Sequence, residues 1–313
     1  RVQKENDFQV CTTEFPGHAR YLAARAAQHG AEVVLAVGGD GTINEVINGL
    51  TGTETALAVL PAGTANDFAA QMRLTAQGLA DVSSLEKCSR RRVDLVRVNN
   101  WHFASSGGFG LPCQAIERAE YLRRQPGLAG RMLRAAGSHL YTLALLAEWR
   151  QFNRSHGQVT IEHDHGTLIC EPVALIVANQ STLGKSFKVA PDANNHDGRC
   201  DLVVIDRSSK SPKAVQAVAS IRWPWLGEPE NVIRLQTRRL KVICDKPVPF
   251  FGDGEIRIES GRFDVEVIPG ALRVLIPPTP VPGRVRVPSR SDSHGYRPVY
   301  GTLHPVTIHR AKG

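Results

Sequence analysis

Residues 37–45 read V-G-G-D-G-T-I-N-E, and this stretch decides the fold. Just upstream, Glu32–Val37 is apolar without alternation, the pattern of a strand covered on both faces. Gly38, Gly39 and Gly41 let a phosphate approach the backbone, and a helix is predicted from Ile43 to Leu50. A strand, a glycine-rich turn and a helix start together put free N–H groups and a positive helix end where parallel sheets hold ligands. Asp40 would repel a bare phosphate, so it points to a magnesium-bound one. The same residues also make a plain helix start. Thr42-Ile43-Asn44-Glu45 is a capping box, with Thr42 as N-cap and Glu45 reaching back.

A second corner follows one strand later. Ala56–Leu60 is again a buried strand, and Pro61–Phe68 reads P-A-G-T-A-N-D-F before a helix expected from about Ala65. Thr64-Ala65-Asn66-Asp67 repeats the capping pattern. Two such corners on successive strands converge on one edge of a sheet. Upstream, Phe8–Thr12 reads as a strand and Pro16–His29 as an Ala-rich helix ending at Gly30. This alternation predicts βαβ units, a parallel sheet and an α/β lobe over residues 1–92.

Beyond residue 92 the pattern changes. Val93–Val98, Trp101–Ala104, Gln158–Glu162, Thr167–Ala178, Cys200–Ile205 and Val232–Cys244 read as antiparallel strands. Residues 248–276 read as successive short hairpins separated by glycines. Gln114–Trp149 interrupts them with helical segments. Residues 93–276 therefore form a β-rich lobe whose last strands are free to return to the first, and 277–313 form a Pro- and Arg-rich tail.

The two corners, with Asp40 and Asp67 27 residues apart, resemble the diacylglycerol kinase catalytic domain, a family that includes diacylglycerol, sphingosine and ceramide kinases and bacterial lipid kinases. The resemblance runs over residues 8–276. It also rests on Thr13-Glu14 with Pro16–Ala19, on Asp94 in R-R-V-D-L, on Ala190–Asp201 as a P-D-A…D-G loop, and on Gly252–Glu255 as G-D-G-E. It implies a nucleotide lobe with a parallel sheet, like that of NAD kinases and phosphofructokinases, plus a β-sandwich-like lobe for the substrate.

The roles that follow are those the resemblance implies. Thr13, Gly39, Asp40, Gly41, Thr42, Ile43, Asn44, Glu45 and Thr64 would line ATP. Glu255 would take the proton from a lipid hydroxyl, with Asp40 beside it in catalysis. Asp94 would sit near the acceptor hydroxyl. Asp197, with backbone carbonyls near Asn194 and Arg199, would hold a structural magnesium. The implied activity is ATP- and Mg-dependent phosphorylation of a diacylglycerol-like or sphingoid lipid by a cytoplasmic, peripherally membrane-associated kinase. Two alternatives stay open: a soluble-substrate kinase of NAD kinase or phosphofructokinase type, and a non-catalytic nucleotide- or lipid-binding protein. Members of the family normally start with a strand and an N-P-x-S-G loop. This chain starts after that point, so an N-terminally truncated or degenerate copy is expected.

Taken alone, several of these residues fit plainer roles. Asp253-Gly254 suits a type I′ hairpin turn, which can still place Glu255 at the cleft. Asn194–Gly198 suits a turn, and His163-Asp164-His165 suits a hairpin tip rather than a metal site.

Composition agrees with a folded enzyme and narrows the classes. Of 313 residues, 42% are apolar and 22% charged, which allows a buried core and excludes global disorder. No run of eighteen apolar residues occurs, so no transmembrane helix is expected. Six scattered cysteines, without a C-x-x-C pair, argue against a disulfide scaffold or a zinc site and for a reducing compartment. The net charge is +8, and residues 279–313 carry six cations against Asp292. With seven prolines from 277 to 313, that tail reads as solvated and poorly ordered rather than as a nucleic-acid arm. Arg118, Arg123, Arg124, Arg131, Arg134 and Arg150 lie among apolar residues and suit contact with an anionic membrane. Oligomeric state stays open, with a homodimer as one option.

Overall fold

The computed structural model describes residues 8–63, 66–74, 82–126, 144, 157–183, 187–207, 231–278 and 305–309. In chain order the elements are β1 (Phe8–Thr12), α1 (His18–Gln28), β2 (Val33–Gly38), α2 (Asp40–Leu50), β3 (Ala56–Pro61), α3 (Asp67–Gln71), β4 (Ser89–Val98), β5 (Trp101–Phe103), β6 (Ser106–Gly110) and α4 (Leu111–Arg123). They continue with β7 (Val159–His163), β8 (Gly166–Cys170), β9 (Pro172–Ala178), β10 (Cys200–Asp206), β11 (Val232–Thr237), β12 (Arg239–Gly252), β13 (Glu255–Ile276) and β14 (Pro305–His309).

β2 and β3 pair in parallel from Val33↔Ala56 to Gly38↔Pro61, so both end at the same sheet edge. Their side chains are apolar because helices or sheet cover both faces. Val34, Ala36, Leu57 and Val59 are buried beneath Ile43, Val46, Ile47 and Leu50 of α2 and Ala19, Ala23 and Ala26 of α1. β13 continues this sheet by running parallel to β3 at Arg273↔Ala56 and Val274↔Leu57. Over the same span it pairs antiparallel with β4. Val93, Leu95, Leu272 and Val274 accordingly join the core of α1 and α2. A second core gathers β4–β7, β9, β10 and β12–β13 around Phe103, Phe109, Phe250, Phe251 and Phe263. The rings of Phe250 and Phe263 lie 4.8 Å apart. Burying each such ring stabilises by about 1.5–3 kcal/mol. The fold is thus a mixed α/β sheet with parallel strands that runs into an antiparallel, sandwich-like β region.

Several expectations are corrected. The predicted chain of hairpins over 248–276 is a single hairpin. β12 turns at Asp253-Gly254 into β13, which runs unbroken for 22 residues. Gly261 lies opposite the register shift of β12 between Ile243 and Val248, and Gly270 lies in the shift against β4 between Ile268 and Leu272. Glycine there marks bulges rather than turns. The predicted strand Thr167–Ala178 is two strands. β8 pairs with β7, and after Glu171 the chain changes neighbours, so β9 pairs with β6 and β10. Val232–Cys244 divides in the same way at Arg238, where Asp164 accepts hydrogen bonds from Thr237 Oγ1 (2.9 Å) and Arg238 N (2.7 Å). That places His163-Asp164-His165 at a hairpin tip. Sequence reading missed β6, because S-G-G-F-G carries no apolar run. In the tail, Pro305–His309 is a strand between β1 and β2, antiparallel to both. The tail's remaining residues, 279–304 and 310–313, lie outside the described residues, as do Arg131, Arg134 and Arg150.

Candidate active site

The two glycine-rich corners meet at the carboxyl edge of β2 and β3. Ala62 N donates to Gly38 O (2.9 Å), which carries the parallel pairing into the turns. Gly63 then crosses Gly39 backbone to backbone. A Cβ on Gly63 would overlap the Gly39 Cα, so only glycine allows this approach. Asn66 closes the second turn. Its Oδ1 accepts from Gly63 N (3.2 Å) and its Nδ2 donates to Gly63 O (2.6 Å).

Asp40 joins the corners. α2 starts at Asp40 itself, not at Ile43, so Thr42 lies within the helix and the expected capping box does not form. The Asp40 carboxylate accepts Asn66 N on Oδ2 and Asp67 N on Oδ1, each at 2.8 Å. The first residue of one helix thereby caps the next. Burial, with the Asp67 and then the Asp253 carboxylates nearby, raises the Asp40 pKa from 3.8 to about 7, although the two amides oppose the rise.

Glu45 does not reach back within its own helix either. Its Oε1 accepts Gly17 N (2.7 Å) and its Oε2 accepts Ala19 N (3.1 Å), so it caps α1, which has no cap of its own. Glu45→Ala should cost about 1–2 kcal/mol of stability, and Glu45→Gln, which keeps an acceptor, much less. Urea unfolding of the two variants checks this.

The β12–β13 hairpin delivers the last carboxylate. Asp253 (φ 50) and Gly254 (φ 83) both take positive φ, as a type I′ turn requires. Asp253 is 7% exposed, and its carboxylate is surrounded by donors. Oδ1 accepts from Ser105 N (2.7 Å), Ser105 Oγ (2.6 Å) and Ala104 N (3.1 Å). Oδ2 accepts from Asn44 Nδ2 (2.7 Å) and Ala104 N (3.0 Å). Asn48 ties the same helix to β5 through His102 N and O, each at 2.9 Å. The hairpin tip is thus bolted to α2. As a result the Glu255 carboxylate lies directly against Gly41, where a Cβ would overlap its Oε1. Arg257 pairs with Glu255, and its guanidinium lies 5.7 Å from the Trp101 ring centre. Burial raises the Glu255 pKa, Arg257 opposes this, and Glu120, Glu45 and Asp253 add to the rise.

Of the predicted site residues, Asp40, Gly41, Asn44 and Glu255 come together here. Ile43 is 1% exposed and packs in the core, so its side chain faces away from the edge. Thr13 follows β1 on the approach to α1. Thr64 lies outside the described residues. Asp94 has a different setting. Its Oδ1 accepts Gly270 N (2.8 Å), its Oδ2 accepts Gly198 N (2.7 Å), and its own N–H donates to Asn195 O (2.7 Å). It therefore fastens the loop that carries Asn194, Asp197 and Arg199, in which Asp197 Oδ1 accepts Arg199 N (2.9 Å). Sequence reasoning gave no site role to Asp67 or Asp253. Each was hidden as a turn or cap residue. The signal available was position, one carboxylate at the start of α3 and one beside Glu255.

Among the described residues, no three His, Cys, Asp or Glu side chains are gathered to hold a metal by themselves. The Asp40 and Asp67 carboxylates at the two corners still suit a hard cation that shares its ligands with a phosphate, whereas both oxygens of Asp253 are taken by Asn44, Ala104 and Ser105. The crowding has a measurable consequence. An acid that holds its proton more tightly when folded adds stability below its ordinary pKa near 4 and loses it as pH rises through about 7. The metal-free protein should therefore be less stable at pH 8 than at pH 5, by on the order of 1–3 kcal/mol. Asp40→Asn should flatten that slope. Thermal unfolding from pH 5 to 8 checks it, and an unchanged slope in the variant would remove Asp40 as the source.

Residues 2–98 match the model of the diacylglycerol kinase catalytic domain, and residues 124–276 match that of the YegS C-terminal NAD kinase beta sandwich-like domain. A diacylglycerol kinase of Bacillus subtilis is 27% identical over 246 residues, which span 78% of this chain and 77% of that protein. The crystal structure of a diacylglycerol kinase from Bacillus anthracis superposes with a TM-score of 0.63 at 21% identity, over 85% of this chain and 84% of that one. The fold is therefore shared.

Proposed function

The chain belongs to the diacylglycerol kinase catalytic domain family, and from this premise we propose that it is a lipid kinase that transfers the γ-phosphoryl group of ATP to a hydroxyl of a diacylglycerol-like or sphingoid lipid. The observation that carries the reading is the position of Glu255, a half-buried carboxylate held against Gly41 at the start of α2. Phosphoryl transfer asks chiefly for positioning, charge neutralisation and a carboxylate within reach of the nucleophile. Here the N–H groups at the head of α2 and the turn at Gly63 offer the phosphate subsite. Glu255 accepts the proton of the lipid hydroxyl as its oxygen bonds to the γ-phosphorus. The bond from the γ-phosphorus to the bridging oxygen breaks, and ADP leaves with that electron pair. A raised pKa makes Glu255 a better base, and Arg257 keeps it ionised. Asp40 and Asp67 would hold magnesium together with the phosphates, and the ion would supply positive charge there when bound. Asp253 and Asn44 keep Glu255 in register with α2.

The β-rich region and α4 are the proposed lipid side. Arg118 and the exposed Tyr121 lie on α4, Arg124 caps its C-terminal end, and the three suit peripheral membrane contact. Among the described residues, no helix is long and apolar enough to cross a membrane.

ADP release in a coupled assay tests this reading. The rate should depend both on Mg²⁺ and on lipid in mixed micelles. Equal release with NAD or a sugar phosphate and no micelles would favour a soluble-substrate kinase instead.

A further inference from the structure

Gln180 follows β9 and is 4% exposed, yet neither Nε2 nor Oε1 meets a hydrogen-bond partner. Asn179 beside it is 1% exposed. Its Nδ2 donates to Asp94 O (2.9 Å) and Ala104 O (2.8 Å), but its Oδ1 has no partner. Three buried polar atoms on two consecutive residues thus lack partners. Each costs a ligand-free protein stability, and native structures keep such groups for a reason.

The backbone shows where this pair is aimed. The β6–β9 ladder ends at Ser106↔Ala178. Beyond it, Asn179 N (2.9 Å) and Gln180 N (3.1 Å) both donate to Ser105 O. Two residues set against one carbonyl are the mark of a β-bulge, which re-aims the second side chain, here toward the side Asn179 occupies. Ser105 is also the residue whose N–H and Oγ hold Asp253, and so the hairpin of Glu255. Two residues further on, Thr182 O accepts Gln71 Nε2 (2.9 Å) from α3. Gln180 therefore stands in the wall between the Asp253 hairpin and α3, on the β-rich side of the site.

The chemistry of the group narrows what it can bind. A carboxamide is neutral and offers both a donor and an acceptor. Nearby carboxylates are already engaged: Asp253 by Asn44, Ala104 and Ser105, Glu255 by Arg257, and Asp94 by Gly198 and Gly270. A cationic amine would meet acceptors but would leave Nε2 unpaired. Neutral oxygens, a carbonyl for Nε2 and a hydroxyl for Oε1, satisfy the amide. We propose that Gln180 is a specificity-determining residue that hydrogen-bonds the neutral ester or hydroxyl oxygens of the acceptor lipid beside the hydroxyl that is phosphorylated. This rests on the lipid-kinase reading above.

The test uses the full chain and Gln180→Met, which removes both polar atoms at similar volume. Diacylglycerol and its dialkyl ether analogue, which lacks the carbonyls, are compared in mixed micelles. The variant should raise KM for diacylglycerol about 10- to 100-fold and leave KM for ATP within about twofold. The wild type should prefer the ester over the ether, and the variant should lose that preference. The lipid-free variant should unfold no earlier than the wild type, because an unpartnered buried amide has been removed. An unchanged lipid KM, an earlier unfolding midpoint, or a wild-type preference for a sphingoid amine would each overturn the assignment and leave the kinase reading standing. A wild type that phosphorylates no lipid would overturn both.

Discussion

Replacing Glu255 by Gln should lower kcat for phosphoryl transfer by about 10²- to 10⁴-fold, the range for loss of a general base. Gln keeps the size of the side chain and one acceptor for Arg257, so the packing against Gly41 and the stacking of Arg257 on Trp101 survive. ATP affinity, measured by titration calorimetry, should change by no more than about twofold. The proposed phosphate subsite is made of backbone at the two corners, and the variant leaves that backbone untouched. Equal loss of nucleotide binding and turnover in a folded variant would mean that Glu255 shapes the nucleotide site instead of accepting the proton.

The second large effect is on stability. Asp253→Ala should destabilise the protein by about 3–5 kcal/mol, because four buried donors lose one shared acceptor. The Ala104 and Ser105 N–H groups, the Ser105 hydroxyl and the Asn44 amide would lose their shared acceptor inside the protein. Asp253→Asn keeps one carbonyl oxygen and should cost roughly half as much. Denaturant midpoints for the two variants check the order. Near-wild-type stability of Asp253→Ala would show that the hairpin tip is not held through this carboxylate. Because Glu255 is placed by the same turn, both variants should also lose turnover beyond what their stability explains.

Much of this was legible in the residues, and the misses have physical causes. The parallel strands and glycine corners could be read because a doubly covered strand is continuously apolar and a phosphate turn needs glycine, both local signals. The pairing of Asp40 with the second corner could not, since it joins amides 26 and 27 positions away. T-I-N-E has the letters of a capping box, yet a longer-range demand took Glu45 to α1. Asp253 was readable only as a turn residue, because positive φ and a buried acceptor place the same letter there. The length of β13 was obscured by Gly261 and Gly270, which look like turns in sequence and serve as bulges in the sheet. β6 carries five buried positions without an apolar run, because its glycines pack backbone against neighbouring strands.

The central claim is that the carboxylate at the end of the β12–β13 turn serves phosphoryl transfer from ATP to a lipid hydroxyl. The most direct measurement supplies γ-³²P-labelled ATP and Mg²⁺ to the protein with a panel of hydroxyl-bearing lipids in mixed micelles, then identifies any labelled product by mass. One labelled phospholipid from the wild type, falling at least about a hundredfold with Glu255→Gln, is the predicted result. Label on a water-soluble acceptor alone, or lipid label that persists undiminished in Glu255→Gln, would contradict it.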